Sequence, residues 1–259
     1  MTTPVVDGAH FPAGAAVVVG GSGGIGREIC VRLARHGSDV ALSYRANADA
    51  AQAAAEEVRA SGREAHTARV DLVDERSVER FFGDVADRFD AIHTVVYAIG
   101  ADIPMVHATQ IDTADWRRTI DCDLTGFYHV VRAAIPYLRG AAGSLVAISS
   151  AGLVRHPPRD ILSTVPKAGI EALVRGIARE EGRYGVRANA VALGVVEAGH
   201  FHRVAAELTP EFVEAMRQNT AIRRLGTARE AADAVVFLAS SASSYTTGCS
   251  LTVDGGYSV

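Results

Sequence analysis

Between a β-branched run and a stretch of helical period lies Gly20-Gly21-Ser22-Gly23-Gly24-Ile25-Gly26. Glycines at such a turn let backbone N–H groups close on an anion, and a helix starting at its end adds the positive end of its dipole. The chemistry is pyrophosphate binding, and a strand before with a helix after makes the expected ligand a dinucleotide. The spacing Gly20-x3-Gly24-x-Gly26 is looser than GxGxxG. The next β-branched run ends in Leu42-Ser43-Tyr44-Arg45, where a binder of NAD(H) would place a carboxylate for its ribose hydroxyls. Arg45 offers a planar cation to a 2′-phosphate instead, so the cofactor expected is NADP(H). As a plain loop charge, Arg45 would simply be solvated.

These residues require a strand, a loop and a helix in succession, and the chain repeats that alternation along its length. Strand-like runs fall at 15–20, 39–44, 64–70, 92–97, 144–149, 186–193 and 250–253, several of them apolar throughout, as strands covered on both faces are. Helical period falls at 24–36, 48–61, 75–88, 115–139, 165–184 and 228–240. Ile25, Ile29 and Leu33 form one buried stripe, and Ile170, Leu173, Val174 and Ile177 form another. The expectation is an α/β fold: a single doubly wound, Rossmann-like domain over 1–259, with a seven-stranded parallel sheet flanked by helices. The segment 197–223 has no strand and carries Gly199, His200, Phe201, His202 and Pro210, which reads as a substrate lid.

Composition narrows the partners. With 48% hydrophobic and 22% charged residues, a net charge of −4 and interspersed signs, the chain has no phosphate-tracking surface, so nucleic acid is excluded as a partner. The most apolar uncharged stretch, 140–154, is shorter than the ~20 residues of a membrane span, and 1–14 lacks the basic and apolar regions of a secretory signal. Cys30, Cys122 and Cys249 stand too far apart for a redox pair or a zinc knuckle, so no metal is expected and a cytoplasmic location is.

From 17 to 256 the chain resembles the short-chain dehydrogenase/reductase family. The glycine loop resembles that family's TGxxxGIG, with Val19 in place of threonine. Asp71-Leu72 resembles its adenine-contacting pair, although Asp71 also reads as a helix N-terminal carboxylate. Gly143 to Ser150 resembles the strand ending at its catalytic serine, and Lys167-Ala168-Gly169 its lysine-bearing helix start. Asn189 to Gly194, Arg224-Leu225-Gly226 and Val253-Asp254-Gly255-Gly256 complete the likeness. The resemblance implies cofactor contacts at Gly20, Ser22, Gly23, Gly24, Ile25, Tyr44 and Arg45. It adds Asp71, Leu72, Ala98, Gly100, Gly194 and Val196, with Lys167 on the nicotinamide ribose. It also implies a dimer or tetramer built through 115–139, 165–184 and the last strand.

The sequence departs from the family at its chemistry. The family's Tyr-x3-Lys pair, whose phenol protonates a carbonyl, becomes Ser163-x3-Lys167, and the Tyr-x6-Lys spacing of its enoyl-thioester reductases falls on Asp160. Asp123-Leu124 stands for Asn-Leu, Tyr97-Ala98-Ile99-Gly100 for Asn-Asn-Ala-Gly, and Leu193 for the proline before Gly194. Ser150, Ser163 and Lys167 remain as catalytic candidates. Ser150 also reads as a strand-end cap and Ser163 as a helix cap.

Serine at this spacing resembles the dienoyl-thioester reductases, where a hydroxyl acts as an oxyanion donor. The leading expectation is an NADP(H)-dependent reductase of the C=C bond of an enoyl thioester or enone, the thioester being carried on coenzyme A or acyl carrier protein. The alternatives are a carbonyl or imine reductase with a replacement proton donor, and a non-redox lyase, cyclase or scaffold on the same fold. Tyr97, Asp123 and Asp160 are candidate donors, as are His156, His200 and His202.

Overall fold

Apolar strands that bury both faces need helices above and below, and the computed structural model has that layering. It describes residues 11–100, 103–199, 201, 205 and 209–259. The strands are β1 (Ala15–Val19), β2 (Asp39–Tyr44), β3 (Ala65–Arg69), β4 (Ile92–Tyr97), β5 (Ser144–Ser150), β6 (Arg187–Leu193) and β7 (Ser250–Val253). All pair in parallel in the order β3-β2-β1-β4-β5-β6-β7, so the strand order reverses between β1 and β4. A crevice opens at that switch point, beyond the carboxyl ends of the strands.

The helices are α1 (Gly24–Arg35), α2 (Ala48–Ala60), α3 (Glu75–Phe89), α4 (Thr113–Thr119), α5 (Gly126–Ala141), α6 (Gly152–Arg155), α7 (Ile161–Glu181), α8 (Pro210–Gln218) and α9 (Ala228–Ala239). Within β1 the alternation of side chains decides two cores. Ala16 and Val18 face α1, α2 and α9 through Ile29, Leu33, Val58 and Val235, while Val17 and Val19 face α3, α5 and α7 through Phe82, Phe127 and Ile170. Each large side chain buried this way contributes about 1.5–3 kcal/mol, which fixes the sheet under the site.

The strand ends and four of the six expected helices agree with the sequence to within one residue. Two helices differ. The expected 115–139 runs from Thr113 to Ala141 and is interrupted at Ile120–Thr125 by a π segment, which turns backbone carbonyls away from the regular ladder. The expected 165–184 starts one turn earlier, because the Asp160 carbonyl accepts the N–H groups of Ser163 and Thr164 at 3.0 and 2.9 Å, and Pro166 lies inside it. Its last residues form a 3₁₀ turn, Gly182–Tyr184. The segment 197–223 contains α8. His200 and His202 lie outside the described residues. Among the described residues, no helix is long and apolar enough to cross a membrane.

Candidate active site

The phosphate loop is shaped by contacts that only glycine allows. Gly20 turns the chain at φ +84°, and a Cβ there would stand 2.9 Å from the Ala98 carbonyl oxygen. A Cβ on Gly26 would meet the Gly20 carbonyl oxygen at 2.2 Å, so α1 sits directly against the turn. Asn47 and Asp74 cap α2 and α3 with their side chains, and Thr227 with Glu230 caps α9. Gly23 leaves α1 with no side-chain cap and no acidic residue in its first turn. Its first N–H groups are therefore free to hold an anion. Ser22, Gly24 and Ile25 belong to this turn, which faces Ala98 and Gly100 across the switch point.

Tyr44 is half-buried at the end of β2 and Arg45 is exposed beyond it, with its Nη1 4.0 Å from Cys122 Sγ. Arg69 Nε donates to the Arg45 carbonyl oxygen at 3.1 Å and steadies that backbone. The Asp71 carboxylate accepts the Val73 N–H at 3.1 Å, which holds the turn after β3, and Leu72 is buried behind it. Burial pushes the Cys122 thiol up, an effect that Arg45 opposes and Asp123 and Asp71 reinforce, so these groups share one corner. The uncapped helix start, the crevice and the exposed guanidinium fit a nicotinamide dinucleotide.

Next to the loop is a cleft of about 320 Å³. Ser150, Ser163 and Lys167 all line it, together with Asp123, Asp160 and Gly194, and Ile103, Met105, Leu162, Phe201 and Met216 make its walls mostly apolar. A larger depression of about 530 Å³ lies outside α1 and α2 around Val31, Arg35 and Glu57. It lies away from the strand ends and from Ser150, Ser163 and Lys167, so the chemistry belongs to the smaller cleft.

Ser150, at the end of β5, accepts the Gly152 N–H on its Oγ at 3.0 Å. That occupies an oxygen lone pair and leaves the hydroxyl proton free to point at a ligand. Ser149 is different, because its hydroxyl donates to Glu171 Oε1 at 2.7 Å. Ser163 is the third residue of α7 and not its cap, a position held by Asp160. Lys167 lies one turn further on the same helix face. Its Nζ donates to the Ile99 carbonyl oxygen at 2.7 Å and approaches Asp123 Oδ2 at 3.4 Å. The lysine and aspartate side chains are 7% and 1% exposed, so this is a buried ion pair. An ammonium has three N–H groups, which leaves one for a ligand.

Of the candidate proton donors, Tyr97 is excluded. It is fully buried, its hydroxyl donates to the carbonyl oxygens of Asp123 and Cys122 at 2.9 and 3.1 Å, and burial and then Asp123 push its phenol well up. Its role is to hold the π segment, whose displaced carbonyls it binds. His156 is exposed and outside the cleft. Asp123 and Asp160 reach the cleft; Asp160 has its carboxyl pushed up to about 6 by burial, against a Ser163 hydrogen bond that lowers it. Sequence reading missed the Ile99 carbonyl that anchors Lys167 and the Cys122 thiol beside Arg45. Neither contact leaves a pattern in residue types.

A family described as Enoyl-(Acyl carrier protein) reductase matches residues 19–258. The chain is 32% identical over 246 residues to L-rhamnose 1-dehydrogenase (NAD(P)(+)) of a Sphingomonas species, covering 93% of this chain and 94% of that protein. It is 30% identical over 244 residues to 3-oxoacyl-[acyl-carrier-protein] reductase FabG of Staphylococcus aureus, covering 93% and 96%. Among solved structures, a short-chain dehydrogenase/reductase from Serratia marcescens superposes with a TM-score of 0.88 at 28% identity, covering 95% of this chain and 98% of that one. Carveol dehydrogenase from Mycobacterium avium in complex with NAD gives 0.89 at 26% identity, covering 96% and 99%. With the switch-point loop, the serine-ended strand and the lysine helix all in place, the chain belongs to the short-chain dehydrogenase/reductase family.

Proposed function

We propose that this protein is a nicotinamide-dependent oxidoreductase that interconverts an apolar ketone and its secondary alcohol, using NADP(H) in preference to NAD(H). The observation that carries the reading is the convergence of two hydroxyls, Ser150 and Ser163, with the Lys167 ammonium on one mostly apolar cleft. When bound, the reduced cofactor supplies a hydride. The free proton of Ser150 holds the carbonyl oxygen and, with Ser163, stabilises the negative charge that builds there. Lys167 holds the cofactor ribose with its remaining N–H, and Asp123 and the Ile99 carbonyl fix the ammonium in place. Phe201 and Met216 line the cleft, which supports reading 197–223 as its lid.

The curated relatives are named for oxidation of an alcohol or reduction of a keto group, which favours carbonyl chemistry over reduction of a C=C bond. The 3-oxoacyl-[acyl-carrier-protein] reductase among them makes an acyl thioester a fitting ketone carrier. Arg45, with no carboxylate beside it in Leu42-Ser43-Tyr44-Arg45, supports the 2′-phosphate.

The test is loss of reduced-nicotinamide absorbance with a cyclic ketone, a 3-oxoacyl thioester and an enoyl thioester. Turnover of the ketones, faster with NADPH and losing that preference in Arg45→Ala, is the expected result; turnover of the enoyl thioester alone would sink the reading. The protein is also expected to assemble as a dimer or tetramer, for Trp116, Tyr128 and Val165 on α4, α5 and α7 are 38, 48 and 38% exposed. Elution at the mass of one 27.2 kDa chain would contradict that.

A further inference from the structure

We infer that Asp160 is the acid–base residue of this site, passing its proton to and from the substrate oxygen through the Ser163 hydroxyl; this rests on the ketone–alcohol reading above. A proton donor is needed because an alkoxide must be neutralised, and an aliphatic hydroxyl with no acid behind it is too weak to do so.

The geometry singles out this carboxyl. An aspartate at the N-terminal cap of a helix ordinarily accepts a backbone N–H of the first turn on its side chain. Asp160 occupies that position on α7 and makes no such bond. Its backbone carbonyl takes the helix contacts instead, accepting from the N–H groups of Ser163 and Thr164 and from the Thr164 hydroxyl. The side chain is thereby free to enter the cleft, which Ser163 lines with it and where the Ser163 hydroxyl opposes the effect of burial on the carboxyl. The absence of a side chain at Gly152 provides the room. A Cβ there would stand 3.0 Å from Ser150 Oγ and 3.2 Å from Asp160 Oδ2, so the carboxylate and the Ser150 hydroxyl converge on one point, in the cleft that Ser163 also lines.

The carboxyl also carries its proton in a usable pH range. Burial raises it to about 6, and the Ser163 hydrogen bond is the one opposing influence. Charged groups on the surrounding elements are turned to other partners. Arg155 of α6 donates to the carbonyl oxygens of Asn219 and Tyr257, Arg159 to the His107 ring, and Lys167 is paired with Asp123. Arg217 of α8 faces Glu197 and Glu214.

In the reduction, the carbonyl carbon receives the hydride and the C=O π pair moves onto oxygen. That oxygen takes the Ser163 proton, Ser163 takes the Asp160 proton, and the half-exposed carboxylate regains one from solvent. The products are the alcohol and oxidised nicotinamide, and alcohol oxidation runs the same steps backwards. Reduction therefore needs protonated Asp160 and oxidation needs the carboxylate.

The experiment is the pH dependence of kcat/KM in both directions for wild type, Asp160→Asn and Asp160→Glu, with cofactor binding followed by fluorescence. For wild type, reduction is level below pH about 6 and falls tenfold per unit above it, and oxidation is the mirror image. Asp160→Asn loses at least ~100-fold in kcat and the inflection, with unchanged cofactor binding, and Asp160→Glu recovers part of both. A separate signature follows from linkage. The raised group is neutral folded and unfolded below its ordinary value of 3.8, and as pH rises towards about 6 the unfolded chain ionises first. Stability at this residue is thus lost with rising pH, and Asp160→Asn melts above wild type at pH 8.

An active wild type with an unshifted Asp160→Asn profile overturns the role of Asp160 and leaves the ketone reading standing. A wild type that binds cofactor but turns over no ketone or alcohol overturns that reading and this inference with it. If Asp160→Asn does not fold, the wild-type profile alone decides, because the absence of an inflection near pH 6 is incompatible with the assignment.

Discussion

Lys167→Met is expected to unfold about 3 kcal/mol more easily than wild type and to reduce ketones at least ~100-fold more slowly. The stability loss comes from the partner left behind. Asp123 is 1% exposed, and its Oδ1 already has no hydrogen-bond partner, so removing the ammonium strands a buried carboxylate. Stranded charges of this kind cost several kcal/mol, whereas exposed pairs such as Arg88–Glu64 contribute a few tenths to one. Adding Asp123→Asn to Lys167→Met removes the charge, and more than half of the stability is expected to return while activity stays low. Urea unfolding of wild type and the two variants measures this. A loss under ~1 kcal/mol in the single variant would mean that water reaches the pair and that Lys167 is not anchored as described.

Ser163→Tyr is expected to gain activity. A phenol at 163 lies four residues before Lys167, on the same helix face and in the family's own spacing, where the ammonium lowers its pKa. With its carboxyl at about 6, Asp160 holds a proton on only ~1% of molecules at pH 8, so a donor that stays protonated there can raise ketone reduction by up to ~100-fold. The inflection near pH 6 should vanish, and Asp160→Asn should no longer slow the enzyme. Steady-state rates at pH 8 with cofactor affinity held in view decide it. A rate at or below wild type with intact cofactor binding would show that proton supply does not limit this site.

Much of this protein is determined by local sequence. Strand and helix limits mostly follow from the switch between apolar runs and helical stripes, because covered strands and amphipathic helices have different periods. The glycine loop, Arg45 at the end of β2, Ser150 at the end of β5 and the Ser163–Lys167 spacing are likewise local patterns. Each lies within one element and its flanking turn, and the sheet order carries them to one crevice.

The functional state of those groups depends on residues far apart in the chain. Lys167 meets Asp123 across 44 positions and Ile99 across 68, contacts that exist only because α7 packs against the π segment and the end of β4. Tyr97 reads as a possible donor until the fold buries it and spends its proton on two backbone carbonyls. Asp160 is one of several carboxylates in sequence. Burial beneath Gly152, with its side chain turned from the helix end into the cleft, pushes its carboxyl up to about 6. Residue type supplies the ordinary acidity of a group, but desolvation and neighbours shift it, and both are properties of the packed structure.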